Sequence, residues 1–201
     1  MSVLVGRKAP DFSVPAVAAD GKIIDKFNLH ENIQGKYALV FFYPLDFTFV
    51  CPSELIALNH RMNDFNSRGV EVIAVSIDSH FTHNAYRNTP IDQGGIGPVQ
   101  YTMAADMTHG ICQSYGVEHP VAGVAFRAAF VIDKTGMVRS QTVNDLPIGR
   151  NVDELLRIID AVQFNEEHGE VCPAGWTKGQ AGMKASPEGV ALYLAEHAEN
   201  L

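Results

Sequence analysis

The sequence predicts an α/β fold with a mixed central β-sheet, flanking helices and a C-terminal extension. Short apolar segments typical of buried strands alternate along the chain with segments of helical spacing. Two strand-like segments, 125–133 and 137–144, follow one another through the short link KTG, which predicts an antiparallel hairpin. Strands that alternate with helices pair in parallel, whereas the two strands of the hairpin pair antiparallel. The predicted sheet is therefore mixed.

The individual elements follow from local patterns in chain order. The first predicted strand is the run YALVFFY at 37–43, whose continuous hydrophobicity is typical of a buried strand. A helix is expected over 53–66, where large apolar residues recur at helical spacing. Another is expected over 151–164, with Asn151 as its N-cap and Glu154 at the capping-box position. The remaining predicted segments are a strand at 70–78, a helix at 80–88, a glycine-rich loop at 93–98, a strand at 101–106 and a helix at 108–116.

The chain changes character after residue 165. A chain of 201 residues suits one domain with an appended tail. The stretch that follows residue 165 contains glycines and prolines but few core residues, and a final helix is predicted over 186–201. We therefore expect a domain at 1–165 and a surface tail at 166–201. A tail of this length without a core of its own is usually functional or interface-forming.

Charge and composition exclude several classes of function. The formal net charge is −8, and an acidic chain repels phosphate backbones and anionic lipid, so we expect no nucleic-acid and no membrane partner. The N-terminal residues lack the pattern of a signal peptide, and no apolar run approaches the ~18 residues of a membrane span. Three widely spaced cysteines do not form a secreted disulfide framework. These features predict a cytoplasmic protein whose cysteines are reduced.

A single cysteine, Cys51, stands where the strand-like run VFFYPLDFTFV meets a predicted helix. In the first turn of a helix, unpaired backbone N–H groups and the positive end of the helix dipole favour a thiolate. Pro52 fits the first helical turn, where its missing N–H costs nothing. The position therefore indicates an activated nucleophile, although a buried structural thiol is an equally open interpretation.

The neighbouring residues narrow the chemistry of this thiol. A dithiol oxidoreductase of the Cys-x-x-Cys type needs a cysteine at position 54, which is Glu54. A cysteine hydrolase needs a histidine base, and none of the eight histidines stands in a recognisable signature, so this class stays open. A thiolate can also attack a peroxide, become a sulfenic acid and condense with a second thiol. The segment EVCPAGW offers such a thiol at Cys172.

Other polar signals carry less information. Arg127 lies within an apolar strand, and a buried charge needs a partner or a pocket. GGIG at 94–97 lacks the lysine and spacing of a nucleotide site, so it is read as a loop or lid. Cys112 is interpreted as a buried helical thiol, with a redox accessory as the alternative. His109 stands three residues before it, but a metal site needs further ligands that the sequence does not identify.

Two motifs resemble those of a known family. YPLDFTFVCPSE at 43–54 is similar to the active-site signature of the typical 2-Cys peroxiredoxins, and EVCPAGW at 170–176 is similar to their resolving-cysteine motif. The resemblance extends over nearly the whole chain, from APDF at 9–12 to NDLPIGRNVDELLR at 144–157. It implies a thioredoxin-like fold and reduction of hydrogen peroxide and organic hydroperoxides by cysteine chemistry, without a metal or a cofactor.

The resemblance also implies roles for the residues nearest to the reacting sulfur. Cys51 corresponds to the peroxidatic nucleophile, and Cys172 to the resolving cysteine, which in this family comes from the partner subunit of a dimer. Thr48 would hydrogen-bond the peroxide and the sulfur, and Arg127 would hold the thiolate and the peroxide oxygens. Pro44 would shield the sulfur from water.

Three more residues receive supporting roles from the resemblance, and two segments depart from it. Glu54 and Arg150 would position the active-site arginine by ion pairing, and Tyr43 would line the pocket. Ile96 replaces the usual leucine of the glycine-rich loop, and YL at 193–194 stands where members sensitive to over-oxidation carry Tyr-Phe. Such sensitivity is therefore plausible for this chain but is not established by its motifs.

The expected partners also follow from the resemblance. They are a second copy of the chain in a homodimer that assembles into a ring, such as a decamer, and thioredoxin or a flavoprotein disulfide reductase as the electron donor. Two rival functions stay open at this point. One is a holdase chaperone formed by a large oligomer, and the other is a peroxide sensor that passes its disulfide to another protein.

Overall fold

A seven-stranded mixed β-sheet forms the centre of the protein. The computed structural model describes residues 3–200. Met1, Ser2 and Leu201 lie outside the described residues, so the expectations for the chain start and for the end of the final helix are tested only in part. The strand order across the sheet is β2-β1-β5-β4-β3-β6-β7. The strands are β1 (Ser13–Val17), β2 (Ile23–Asn28), β3 (Tyr37–Phe42), β4 (Val70–Ser76), β5 (Thr102–Ala105), β6 (Arg127–Ile132) and β7 (Val138–Asn144).

Within residues 3–200, seven α-helices accompany the sheet. They are α1 (Leu29–Asn32), α2 (Cys51–His60), α3 (Met62–Ser67), α4 (His80–Asn88), α5 (Gly110–Ser114), α6 (Val152–His168) and α7 (Pro187–His197), with 3₁₀ turns at Ile91–Gln93 and Ala198–Asn200. Helix α3 packs against β4, and α4 packs against β1 and β5. Among residues 3–200, no helix combines the length and the apolar character required to cross a membrane.

The mixed architecture could be predicted because the central strand β3 and the β6–β7 hairpin have clear local sequence patterns. Strand β3 is buried along its whole length, pairs parallel with β4 and pairs antiparallel with β6. Strands β6 and β7 form the expected antiparallel hairpin. A continuously apolar strand such as β3 is stable only between other strands and under packed faces, so the loop that leaves its carboxyl end starts from a fixed position.

The sequence interpretation missed the N-terminal hairpin of β1 and β2. Pro15 lies inside β1, and a proline normally argues against an interior strand because it cannot donate a ladder hydrogen bond. The register between β1 and β2 shifts between Val14 and Ala16, so a bulge accommodates the proline. Strand β2 is also mostly exposed, which weakens its hydrophobic pattern.

The helix predicted over 53–66 is wrong in detail. The structure begins α2 at Cys51, ends it at His60 and starts α3 at Met62. Between them Arg61 has φ −102° and ψ 7°, which interrupts the helical backbone without any glycine or proline. The predicted helix 151–164 is also longer than expected, because α6 continues to His168.

The chain forms two compact units, one up to Val152 and one from Asp153 onward. The second unit contains most of α6, the helix α7 and an isolated antiparallel bridge between Val171 and Met183. Within it, Trp176 is buried against Phe164, with ring centroids 4.8 Å apart. The expected boundary near residue 165 stays a prediction.

Candidate active site

Cys51 is the first residue of α2, directly after the loop that leaves β3. Its side chain is fully buried and its thiol is free. Pro52 occupies the first turn, and Val50 at the N-cap offers no side-chain hydrogen bond to the helix N-terminus. The N–H groups of Ser53 and Glu54 donate to the carbonyl oxygen of Val50, so the expected ring of unpaired N–H groups around the sulfur is not found, and the helix dipole is what favours negative charge there.

A buried arginine contacts the sulfur. Arg127, the first residue of β6, donates from Nη1 to Cys51 Sγ at 3.4 Å and to Glu54 Oε2 at 2.8 Å. Its Nε donates to the carbonyl oxygen of Leu146 at 2.5 Å. Three acceptors fix this guanidinium in place. The arginine is therefore already directed at the sulfur and loses no further side-chain freedom when a ligand arrives.

Glu54 links this arginine to a second one. Arg150 donates from Nε to Glu54 Oε1 at 2.9 Å and from Nη2 to Oε2 at 3.0 Å, and its backbone N–H donates to Oε1 at 2.8 Å. Burial alone would raise the pKa of Glu54, but hydrogen bonds from Arg150 and the charges of Arg150 and Arg127 outweigh burial and lower it. Glu54 is therefore ionised at neutral pH and holds both guanidiniums.

The buried cluster beside Cys51 carries a net positive charge. Two guanidiniums and one carboxylate leave one net positive charge in a site from which water is almost excluded, since Arg127 is 4% and Glu54 4% exposed. An uncompensated buried charge is costly. Arg127 directs this positive charge at Cys51 Sγ, where it can compensate negative charge that develops on or near the sulfur.

The loop between β3 and α2 contributes the other predicted residues. Pro44 is buried, and Thr48 is half-buried with its Oγ1 donating to the carbonyl oxygen of Leu45 at 2.8 Å. The Thr48 oxygen can still accept hydrogen bonds. Tyr43 is fully buried, and its hydroxyl donates to Asp46 Oδ1 at 2.6 Å rather than standing free in a pocket.

Sequence reasoning missed a buried network that holds this loop. Asp46 Oδ2 lies 2.8 Å from His83 Nδ1, and His83 Nε2 lies 3.2 Å from the carbonyl oxygen of Ala104. Because a carbonyl oxygen only accepts, Nε2 is the donor in the contact with Ala104. The backbone N–H of Asp46 also donates to Asp78. The loop is thus tied to α4 and to the end of β4.

Tyr86 is a second residue that the sequence did not indicate. It is fully buried on α4, and within residues 3–200 its hydroxyl has no hydrogen-bond partner. Its ring centroid lies 4.5 Å from that of Phe47, which has a positive φ of 52° in the loop before Cys51. Burial first, and then the negative charge of Asp46 and of Cys51, raise the pKa of this phenol.

Cys172 belongs to the second compact unit and is a half-buried free thiol. Its Sγ lies 3.5 Å from the carbonyl oxygen of Ala161 in α6. Burial raises the pKa of this thiol, and the charge of Arg157 offsets only part of the effect. Cys172 is therefore mainly a protonated thiol at neutral pH, which suits a second thiol better than a first nucleophile.

Comparison with protein-family models adds independent findings. The model of the AhpC/TSA family matches residues 5–141, and the model described as the C-terminal domain of 1-Cys peroxiredoxin matches residues 161–196. The first match covers the sheet as far as the middle of β7, with Cys51, Glu54 and Arg127, and the second covers most of the second compact unit, while Arg150 lies outside both.

The chain is also similar to known proteins along nearly its whole length. Alkyl hydroperoxide reductase C of Helicobacter pylori is 51% identical over 199 residues, which is 99% of this chain and 100% of the relative. The structure of a reduced 2-Cys peroxiredoxin from Plasmodium vivax has a TM-score of 0.93 at 48% identity and covers 96% of this chain and 100% of that one. A Plasmodium yoelii Prx1a modified at its N-terminus, which forms an artifactual octamer, has a TM-score of 0.76 at 48% identity, over 85% of this chain and 98% of that one.

Proposed function

The chain belongs to the AhpC/TSA family and is a thiol-dependent peroxidase, and we propose that Cys51 is the sulfur that attacks the peroxide. One observation carries this proposal. Arg127 Nη1 lies 3.4 Å from Cys51 Sγ at the N-terminus of α2 and is held there by Glu54. A fixed guanidinium beside a buried sulfur can stabilise the negative charge of a nucleophilic reaction, whereas a structural thiol needs no such partner.

The first step is the attack of the Cys51 thiolate on the nearer oxygen of a hydroperoxide. A sulfur–oxygen bond forms, the O–O bond breaks, and the departing oxygen leaves as hydroxide or alkoxide that takes up a proton. Negative charge moves from sulfur to this oxygen, so the Arg127 guanidinium stabilises it as it develops. Thr48 has a free lone pair to accept from the peroxide, while Pro44 keeps bulk water away.

In the second step the Cys51 sulfenic acid reacts with the Cys172 thiol. The Cys172 sulfur displaces the hydroxyl group, which leaves as water, and a disulfide forms. Cys51 is fully buried, so the first turn of α2 must open. That turn lacks a side-chain cap at Val50, which lowers the cost of opening it.

The partners and the compartment are part of the same proposal. We propose a homodimer in which Cys172 of one subunit resolves Cys51 of the other, assembling into a ring, with thioredoxin or a flavoprotein disulfide reductase reopening the disulfide. The tail at 166–201 supplies the resolving thiol. Three cysteines at widely separated positions suit a reducing, cytoplasmic environment. The assembly of a solved relative into an octamer supports oligomer formation in general.

The test is stopped-flow reaction of the reduced protein with hydrogen peroxide and with an organic hydroperoxide. Cys51→Ser is expected to abolish the fast reaction, because no other thiol has this environment. Arg127→Ala is expected to slow the reaction by about 10²–10³-fold, the usual effect of removing one preorganised donor.

Cys112→Ser is the matched control, since Cys112 is also a buried cysteine in a helix. It is expected to react at the wild-type rate. Equal loss of rate in Cys51→Ser and Cys112→Ser, or a wild-type rate in Cys51→Ser, would contradict the assignment.

A further inference from the structure

Three metal-ligating side chains converge around the short helix α5, and the peroxide chemistry uses none of them. His109, Cys112 and Glu118 each present one ligand atom, and these atoms all lie within 4.8 Å of one another. We call these three residues the His109 cluster. His109 and Cys112 stand at helical spacing in the sequence. Glu118, which the sequence pattern did not indicate, completes the group.

The backbone under the His109 cluster is firmly held. The Asp106 carboxylate accepts from the backbone N–H groups of Ile111 at 2.9 Å and Cys112 at 2.8 Å. The N–H of Val117 donates to the carbonyl oxygen of Cys112 at 2.8 Å. Glu118 pairs with Ala125 in an isolated antiparallel bridge. The ligands therefore project from a preformed frame, as a metal site requires.

His109 shows an unusual backbone conformation in this frame. Its φ is 61°, in the left-handed region that non-glycine residues rarely occupy, and it precedes the first turn of α5 without capping it by its side chain. The side chain instead turns to Glu118, with Nδ1 2.7 Å from Oε1. Cys112 Sγ lies 3.3 Å from the carbonyl oxygen of His109 and so faces the same side of the helix start. Such strain is typical of functional sites.

We propose that the His109 cluster binds one Zn²⁺ ion through Cys112 Sγ, an imidazole nitrogen of His109 and a carboxylate oxygen of Glu118. Thiolate, imidazole and carboxylate together form the ligand set that zinc prefers, and the soft sulfur disfavours Mg²⁺ and Ca²⁺. Three protein ligands leave a fourth position for water. His109 and Glu118 are 30% and 29% exposed at their side chains, so an ion can enter from their side, while Cys112 forms the buried floor.

The distances require only small side-chain movements. Around a tetrahedral zinc ion with the usual bond lengths, neighbouring ligand atoms lie about 3.3–3.6 Å apart. The His109 and Glu118 atoms at 2.7 Å would separate by about 0.7 Å, and a pair at the 4.8 Å limit would close by about 1.3 Å. Without a metal, His109 Nδ1 and Glu118 Oε1 are joined directly by a hydrogen bond.

The electrostatics around Cys112 fit a dication. The carboxylates of Asp106 and Glu118 lie close to Cys112, the first through hydrogen bonds from the backbone N–H groups of Ile111 and Cys112. The same acidic groups attract a cation. Zinc binding would replace the thiol proton by a sulfur–zinc bond and release that proton to solvent, and the thiolate and one carboxylate would balance the charge of the ion.

The test is a zinc titration of the reduced full-length chain carrying Cys51→Ser and Cys172→Ser, so that Cys112 is the only thiol. Competition with a chelating dye is expected to give one zinc ion per chain, and zinc is expected to raise the melting temperature. With Co²⁺ as a spectroscopic probe, a thiolate-to-cobalt charge-transfer band is expected. About one proton should be released per zinc ion near neutral pH.

Variants in the same background distinguish the cluster from surface binding. Cys112→Ser and Glu118→Gln are each expected to weaken zinc binding at least tenfold, and Cys112→Ser should abolish the cobalt band. Glu118→Gln changes a half-exposed side chain, so it tests the site without disturbing the core. His60→Ala, at an exposed histidine outside the cluster, should bind zinc like the parent chain. No zinc binding by the parent chain, or parental affinity in Cys112→Ser and Glu118→Gln, would overturn the proposal.

Discussion

At the scale of single residues, the central feature is a carboxylate shared by two buried guanidiniums. Glu54 makes hydrogen bonds with both Arg127 and Arg150, and Arg150 also lies over the ring of Phe41 with Cζ 3.4 Å from its centroid. A single buried ion pair is weak evidence for stability. Here Glu54 and Arg150 hold Arg127, the donor that faces Cys51. The free-energy cost of burying these charges therefore serves the proposed reaction at the Cys51 sulfur.

Glu54→Gln is expected to change how stability depends on pH. The folded-state pKa of Glu54 is lowered, so its contribution is fully present above its ordinary value of 4.5 and is lost as pH falls through the folded value. The free energies of unfolding of wild type and Glu54→Gln should differ by about 3 kcal/mol or more near neutral pH. This difference should narrow below pH 4.5, which urea denaturation at a series of pH values will show.

The exposed Glu31 provides the control for that series. Glu31→Gln should give a stability curve parallel to that of the wild type, because this carboxylate has no buried partner to lose. A constant difference between wild type and Glu54→Gln at all pH values would contradict the proposed ionisation of Glu54.

A second residue-scale prediction compares two fully buried tyrosines. The Tyr86 hydroxyl lacks a hydrogen-bond partner within residues 3–200, whereas the Tyr101 hydroxyl donates to the carbonyl oxygen of Leu55 at 2.9 Å. Tyr86→Phe should leave the free energy of unfolding unchanged or raise it slightly, because it removes an unpaired polar group. Tyr101→Phe should lower it by about 1–2 kcal/mol. Urea denaturation of both variants measures the contrast, and equal losses would show that the Tyr86 hydroxyl has a partner.

At the scale of elements, α4 positions several buried groups and has a well-formed start. Ser79 is its N-cap, and its Oγ accepts from the backbone N–H of Thr82 at 3.1 Å. His83, Tyr86 and Arg87 all point inward from this helix. The first of them is part of the network that holds the loop before Cys51, so the stability of α4 affects the site.

Ser79→Ala is expected to lower the free energy of unfolding by about 1 kcal/mol, because one backbone N–H of the first turn loses its acceptor. Ser79→Asn, which keeps a side-chain oxygen at the cap, should stay close to wild type. Thermal or urea unfolding measures both variants. If the two substitutions cost the same, the cap hydrogen bond is not what stabilises α4.

The elements also show how far the sequence could predict the fold. β3 and the β6–β7 hairpin were predictable because a continuous apolar run and a tight turn are local signals. The break at Arg61 and the strand β1 with its bulge at Pro15 were not, because tertiary packing overrides local preference there.

The residues of the candidate site also divide into those that the sequence could predict and those that it could not. The motifs identified Cys51, Arg127 and their neighbours, which the structure brings together around Glu54. The Asp46–His83 pair and the position of Glu118 beside His109 come from segments far apart or without a local pattern. A buried polar pair between distant segments leaves no periodic signal in one sequence.

At the scale of the whole molecule, the two proposed reacting thiols belong to different compact units. Cys51 is buried at a helix start in the first unit, and Cys172 is half-buried in the second. In the proposed cycle, the fully buried sulfur of Cys51 must become accessible before it can react with a second thiol. We propose that opening of the first turn of α2 exposes the sulfenic acid of Cys51.

The most direct test of the account is to identify the disulfide formed by one turnover. Reduced protein treated with an equimolar amount of hydrogen peroxide is separated on a non-reducing gel, and its peptides are analysed by mass spectrometry. We predict a Cys51–Cys172 linkage in a dimer-sized band that is absent in Cys51→Ser and in Cys172→Ser. The same linkage in a monomer-sized band would retain the chemistry and contradict the dimer. An unmodified Cys51 thiol after peroxide treatment would contradict the central claim that this cysteine attacks the peroxide.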